Sequence, residues 1–255
     1  MANSILMSKN RIDYTSVITM SSGTNSLALY NRDKSNQWSS VGSNDGIQET
    51  IRIDFKTPQP IDSLLLLNSN LHRFDLIVGG AWGSTVLFTG HNHNSYFYQL
   101  SPPFTPEQKI CAWAELRCYD TQIPNQEKKV GELMLCEHYY QLAVNPSSIT
   151  AQYREESKEI KLNDGSLKMW KVSGSERAGF DFDFDKKVDT AMLAALEGIK
   201  KTAYKQPFNL YMLPDEQPEN VYLVNWLNSF NPQVEQAWNG AGSRVYSLKM
   251  ELKEV

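Results

Sequence analysis

The stretch Ile51-Arg52-Ile53-Asp54-Phe55-Lys56-Thr57-Pro58-Gln59-Pro60-Ile61-Asp62-Ser63-Leu64-Leu65-Leu66-Leu67 decides the fold of this chain. Ile51, Ile53 and Phe55 alternate with Arg52 and Asp54, the period of two that turns one face of a strand to a core and the other to water. Pro58 and Pro60 punctuate the run, and Leu64 to Leu67 then form a short unbroken apolar segment suited to a strand buried on both faces. Moving outward, further short runs stand at 74–78, 85–88, 96–100, 110–116 and 132–137, separated by Ser, Asn and Gly. No amphipathic helix is legible before about Tyr140, so this half reads as a β-sandwich. Gly79-Gly80-Ala81-Trp82-Gly83 lacks the Lys of a phosphate loop and reads as a hairpin turn.

Beyond Tyr140 the pattern changes. Strands are expected at 148–153, then at 159–162 and 167–172 around the tight-turn sequence Asn163-Asp164-Gly165. Gly179 to Asp185 places Phe180, Phe182 and Phe184 on one face and Asp181, Asp183 and Asp185 on the other. Val188, Met192, Ala195 and Ile199 then fall at helical spacing, with Asp189 near the start and Lys200 and Lys201 at the end, where cations suit the helix dipole. Strands return at 207–213, 221–226 and 244–255, and the composition shift with the turn-like Asn145-Pro146-Ser147-Ser148 places a boundary at 142/143. The expected fold is mainly β: a sandwich over 1–142, and a second β-sandwich with one flanking α-helix over 143–255.

Composition limits the function classes. The 255 residues carry 25 Lys and Arg against 29 Asp and Glu, a formal charge of −4 with 41% hydrophobic residues. That is ordinary globular composition, which excludes disorder as the main state. It also lacks the basic concentration that phosphate-backbone binding needs, so sequence-specific nucleic-acid binding is not expected. The longest stretch free of Asp, Glu, Lys and Arg, 76–106, is too rich in Gly, Asn, Ser and Pro to span a bilayer as a helix. Met1 to Asn10 holds no apolar run of signal-peptide length, so secretion by the general route is not expected. Cys111, Cys118 and Cys136 are odd in number and lack C-x-x-C spacing, and read as reduced, buried thiols. No Asn-x-Ser/Thr sequon occurs.

In the first half, Ile18-Thr19-Met20-Ser21-Ser22, then Leu29-Tyr30-Asn31-Arg32-Asp33, then Gln37-Trp38-Ser39-Ser40 follow one another in the order of a known family. Ile51 to Phe55, Pro60 to Leu66 and the closing Gly131-Glu132-Leu133-Met134-Leu135 continue that order. This half resembles the discoidin family, also called the coagulation-factor type C domain, over roughly 10–140. The resemblance implies an eight-stranded jelly roll whose end loops often bind glycans, lipids or proteins, sometimes beside a structural calcium. Asp33-Lys34 and Phe55-Lys56 depart from the family's Asp-Gly and Gly positions, so its calcium and ligand loops are not carried over. In the second half, Phe180 to Phe184, Val188 to Lys201, Gln206-Pro207-Phe208, Tyr222 to Trp226 and Tyr246 to Val255 resemble the tail-tube and distal-tail proteins of tailed phages. That resemblance implies a ring-forming sandwich and carries no catalytic signature.

The search for chemistry is mostly negative: G-x-x-x-x-G-K-[ST], G-x-S-x-G and H-E-x-x-H are all missing. His91-Asn92-His93 could bring two imidazoles to one side of an extended strand, about 6.5–7 Å apart. No acidic or Cys residue nearby completes a metal set, so a solvated loop is expected there. Asp181, Asp183 and Asp185 lie too far apart along a strand to meet one calcium together and read as a solvent or lumen face. Neither a metal nor another cofactor is expected. Asn92-His93-Asn94-Ser95-Tyr96-Phe97-Tyr98 pairs aromatics with amides, which suits sugar stacking; the residues expected to bind a ligand are Trp38, His93, Tyr96 and Tyr98, the alternatives being that Trp38 anchors a loop on the sandwich core and that Tyr96 and Tyr98 face the core. Two functions are therefore expected. One is a non-enzymatic structural subunit of a phage tail tip or baseplate, made in the host cytoplasm and carried in the virion. It would form a homo-oligomeric ring through the second domain, with the discoidin-like first domain facing outward and other tail proteins as partners, and the C-terminal strand would offer an exposed edge. The alternative is a carbohydrate-binding adhesion module.

Overall fold

The computed structural model describes residues 3–31, 36–42, 44–91, 96–99, 110–161, 167–203, 206–212, 221–235 and 244–254. At 87–88, 90–91, 96–99, 151–161, 167–177, 202–203 and 235 it describes the backbone alone. The strands are β1 (Ile5–Ser8), β2 (Val17–Met20), β3 (Trp38–Ser39), β4 (Glu49–Pro60), β5 (Ser63–Ser69) and β6 (Leu71–Gly80). Then come β7 (Gly83–His91), β8 (Tyr96–Gln99), β9 (Ile110–Thr121), β10 (Lys129–Cys136), β11 (His138–Gln141), β12 (Ser148–Lys161) and β13 (Leu167–Val188). After helix α1 (Thr190–Ala203) follow β14 (Phe208–Tyr211), β15 (Val221–Trp226), β16 (Gln233–Glu235) and β17 (Val245–Glu254). The protein is mainly β, as its alternation dictates. The chain forms two compact units, residues 7–138, and residues 3–6 with 139–212 and 221–255. It therefore crosses from the second unit into the first after Leu6 and returns after His138. Residues 3–6, read from the sequence with the first half, count with the second unit.

In the first unit, a five-stranded sheet in the order β2-β4-β9-β6-β7 and a four-stranded sheet in the order β3-β10-β5-β8 enclose one core. Ile51, Ile53 and Phe55 of β4, Phe74, Leu76 and Val78 of β6, and Ala114, Leu116 and Cys118 of β9 supply one side. Leu64 and Leu66 of β5 with Val130, Leu133 and Leu135 of β10 supply the other. Leu65 and Leu67 are buried as well, so the run Leu64–Leu67 is covered on both faces, as its lack of alternation predicts. The turn at 80–83 is a tight hairpin: Gly80 stands opposite Gly83, and Gly83 has φ 107, a left-handed conformation that an L side chain would resist. The three cysteines are buried, and burial pushes the Cys111 thiol up to about 12.

In the second unit the strands form one hydrogen-bonded sheet in the order β11-β1-β14-β15-β17-β13-β12, with β16 beside β17. Phe180, Phe182 and Phe184 are buried, and Phe180 meets Tyr222 edge-on with 4.7 Å between ring centroids. On the opposite face Lys249 reaches Asp183 at 3.4 Å, so the aspartate row is a solvent face answered by a lysine. Asp189 caps the helix, its Oδ1 accepting the Met192 N–H at 2.7 Å. The buried helical stripe is Met192, Leu196 and Ile199 rather than the expected Ala195, and Val188 belongs to β13.

β17 is interior. It pairs with β13 on one side and with β15 and β16 on the other, which corrects the expectation of an exposed C-terminal edge. Between β15 and β16 the Asn228 side chain fills the gap: its Oδ1 accepts the Glu251 N–H at 2.9 Å and its Nδ2 donates to the Lys249 carbonyl at 2.9 Å.

Candidate ligand-recognition surface

Of the residues singled out in the sequence, Trp38 lies in β3 with 0% of its surface exposed, inside the sandwich core. Its indole donates to the Ser22 carbonyl at 3.2 Å. Gly23, at φ 79, backs against it, and a Cβ there would stand 2.0 Å from the Ser39 carbonyl oxygen. Trp38 is therefore an anchor for the loop after β2, and its ring is not available to a ligand. Tyr96 and Tyr98 stand in β8 opposite Leu66 and Leu64; their side chains, together with His93 and Asp33, lie outside the described residues.

The loops 40–48 and 121–128 meet at one end of the sandwich and are tied by named bonds. Asp45 accepts the Thr121 N–H and hydroxyl at 3.0 and 2.9 Å through Oδ1, and the Asn125 N–H at 2.8 Å through Oδ2. Burial alone raises the Asp45 carboxyl. These hydrogen bonds, with the Lys128 charge behind them, outweigh it and hold the group below its ordinary value. Lys128 is 1% exposed, and its ammonium donates to the Asn44 carbonyl at 2.9 Å. An internal cation thus ties this end together, and among the described residues no three His, Cys, Asp or Glu groups are placed to hold a metal ion.

Beside these loops the outer face of the five-stranded sheet carries the densest polar constellation among the described residues. Period two brings it about: Trp113, Glu115, Arg117 and Tyr119 point outward along β9 while Ala114, Leu116 and Cys118 point in. Register then sets Arg52 opposite Glu115, Asp54 opposite Trp113 and Asp75 opposite Arg117. Directly opposed side chains on one face of a sheet touch. The Arg117 Nε donates to Glu115 at 2.7 Å, and that bond holds the guanidinium's pKa up. Arg52 bonds Asp54 at 3.0 Å and lies 3.9 Å over the Trp113 ring. The other side of that ring rests on Gly79, where a Cβ would stand 2.3 Å from an indole carbon.

Next to it Tyr119 is fixed on two sides. Its hydroxyl donates to Asp75 Oδ2 at 2.8 Å, and Thr89 donates to Asp75 Oδ1 at 2.7 Å. Arg73 lies 4.8 Å over the Tyr119 ring while its Nε bonds Asp120 at 3.1 Å. The register shift between Arg73 and Phe74 opposes Asp120 to Arg73 and Cys118 to Phe74, leaving Tyr119 as the extra residue of a β-bulge. Burial and then the neighbouring Asp75 raise the Tyr119 phenol, so it is a neutral hydrogen-bond donor. Three guanidiniums face four carboxylates across this surface, so its field is close to balanced. Such a surface offers paired donors and acceptors beside flat apolar rings; it has no excess of cations for a phosphate.

No family model and no curated protein matches the chain in sequence. Among solved structures, it is similar to chitosan-binding module 1 of a chitosanase/glucanase from Paenibacillus sp. IK-5, at 10% identity and a TM-score of 0.41, covering 51% of this chain and 98% of that one. It is also similar to the family 32 carbohydrate-binding module of C. perfringens NanJ in complex with galactose, at 7% identity and 0.41, covering 52% and 99%. A third is an F5/8 type C domain from Bacteroides fragilis, at 14% identity and 0.42, covering 53% and 98%.

Proposed function

We propose that the protein acts by binding, without catalysis, and that its first unit takes a neutral, polyhydroxylated ligand, a glycan, on the outer face of the five-stranded sheet. The observation that carries this is the Tyr119 cluster: a partly exposed ring held by Asp75 and Arg73 within a charge-balanced set of guanidiniums and carboxylates. Vicinal sugar hydroxyls can donate to a carboxylate and accept from a guanidinium at once, while a sugar's C–H face packs on an aromatic ring. Because its partners already fix the carboxylate and the ring, little side-chain freedom is left to lose on binding. The tail-tip reading rested on the two resemblances taken together, and the C-terminal edge it added for assembly is interior; the glycan reading is the one carried forward.

The test is a glycan array with the full chain, followed by calorimetric titration of the glycans that bind. Tyr119→Ala and Asp75→Ala are expected to weaken binding roughly tenfold or more, the usual consequence of truncating a central contact. Asp183→Asn, on the second unit, is expected to leave it unchanged. No binding on the array, or undiminished binding by both first-unit variants, overturns the proposal.

A further inference from the structure

The outer face of the five-stranded sheet repeats one arrangement along β9. Arg52 stands opposite Glu115, Asp75 opposite Arg117 and Arg73 opposite Asp120, so a guanidinium and a carboxylate sit side by side at β9 positions 115, 117 and 120. Directly opposed side chains on one face are neighbours, and each of these stations therefore sets hydrogen-bond donors beside acceptors. The bulge at Tyr119 keeps Asp120 on this face, where it bonds Arg73 at 3.1 Å. The first and last stations are built alike. Arg52 lies 3.9 Å over the Trp113 ring and Arg73 4.8 Å over the Tyr119 ring, so at each end a guanidinium is laid against an aromatic plate. At the middle station Arg117 bonds Glu115 at 2.7 Å and so joins it to the first.

From Trp113 to Tyr119 a strand runs about 20 Å. The face is open along that length: the side chains are 47% exposed at Asp54 beside Trp113, 39% at Arg117 in the middle and 49% at Arg73 at the far end. A small ligand bound by itself usually sits in a concave site that encloses most of its surface. A sheet face touches a single sugar from one side only, so binding energy has to accumulate along the ligand. A ladder of equivalent stations suits a ligand that repeats itself.

We infer that the ligand of this face is a linear, uncharged glycan chain several sugar units long, lying along β9 between the Tyr119 end and the Trp113 end, and that a terminal sugar by itself is held weakly. This rests on the glycan reading of the same face. Each further unit meets donors and acceptors whose partners already fix them, so it adds contacts while little side-chain freedom is lost.

The experiment is calorimetric titration of the full chain with cello-, laminari- and manno-oligosaccharides of one to six units, and with each glycan that binds on the array beside its own terminal sugar. Affinity is expected to rise with chain length, by roughly tenfold or more from the terminal sugar to the full chain, and to level off once the chain outgrows the about 20 Å of the face. Arg52→Ala and Asp54→Ala, at the Trp113 end and checked for folding by circular dichroism, are expected to cost more affinity the longer the chain. A chain bound no more tightly than its terminal sugar overturns this inference and leaves the glycan reading standing. Two folded variants that lose nothing on the longest chain, or that lose equally at every length, overturn it in the same way. No binding of any glycan overturns the reading and the inference together.

Discussion

Asp45 shows what a single side chain does for the loop end. Its carboxylate accepts from Thr121 and Asn125 and so holds two loops together. A carboxyl whose value is lowered by folding contributes stability that is fully present above the unfolded value, near 3.8, and is lost as pH falls through the folded value. In Asp45→Asn the amide nitrogen would confront one of the N–H donors, so that variant is expected to be less stable near neutral pH. Its remaining stability should decline less steeply than that of the natural chain as pH drops below about 4, with urea midpoints measured across the acid range as the check. Little of this was legible in the sequence, because Asp45 and Asn125 are separated by 80 residues. Trp38 was legible in two readings, a loop anchor on the core and a ligand contact. Ser22 and Gly23, from the loop after β2, decide for the anchor. The Tyr119 cluster lay half in view. Trp113, Glu115 and Arg117 alternate plainly with buried neighbours, but the bulge at Tyr119 is a property of the pairing with β6, which no local pattern reports.

β13 is the element whose sequence speaks most directly. Its three buried phenylalanines and three intervening aspartates alternate without a break, and the strand takes the faces that they dictate. Phe182→Ala is therefore expected to cost about 3–5 kcal/mol, the usual loss for emptying a buried aromatic site. Asp183→Asn, which gives up only the exposed contact with Lys249, is expected to stay within about 0.5 kcal/mol. Chemical denaturation of both variants checks the contrast. The helix was legible for the same reason, since Met192 and Ile199, the Asp189 cap and the closing lysines all agree, although Leu196 takes the place of Ala195 and Val188 ends β13. What failed was the step from strands to sheets: β17 alternates like an edge strand, with Ser247, Lys249, Glu251 and Lys253 on its wet face, yet it is interior. Alternation reports which face of a strand is wet and carries no information about whether its two edges are paired.

Across the whole molecule the order of the chain and the order of the sheets differ. β1 stands between β11 and β14. Ser4 just before it is fully buried, donating its hydroxyl to the Met212 carbonyl at 2.7 Å and its N–H to Asn145 at 3.0 Å. The sequence boundary at 142/143 could not show this, since Ile5-Leu6-Met7-Ser8 is too short and too uniformly apolar to announce its partners. Ser4→Ala is expected to destabilise the second unit by about 1–3 kcal/mol through the buried carbonyl it leaves unmet. Hydrogen exchange should show faster opening at β14 and little change in β4 or β9.

The same strand sets a timetable for synthesis. Chains emerge from the ribosome at about 5–20 residues per second, so about 10–40 s separate the appearance of β1 from that of β14. The first unit has all its strands by Cys136 and can condense in the meantime. Until then Ile5 to Ser8 wait without one of their two neighbours, so a segment translated ahead of the whole first unit is among the last to settle, and that interval is when a holding chaperone would find it.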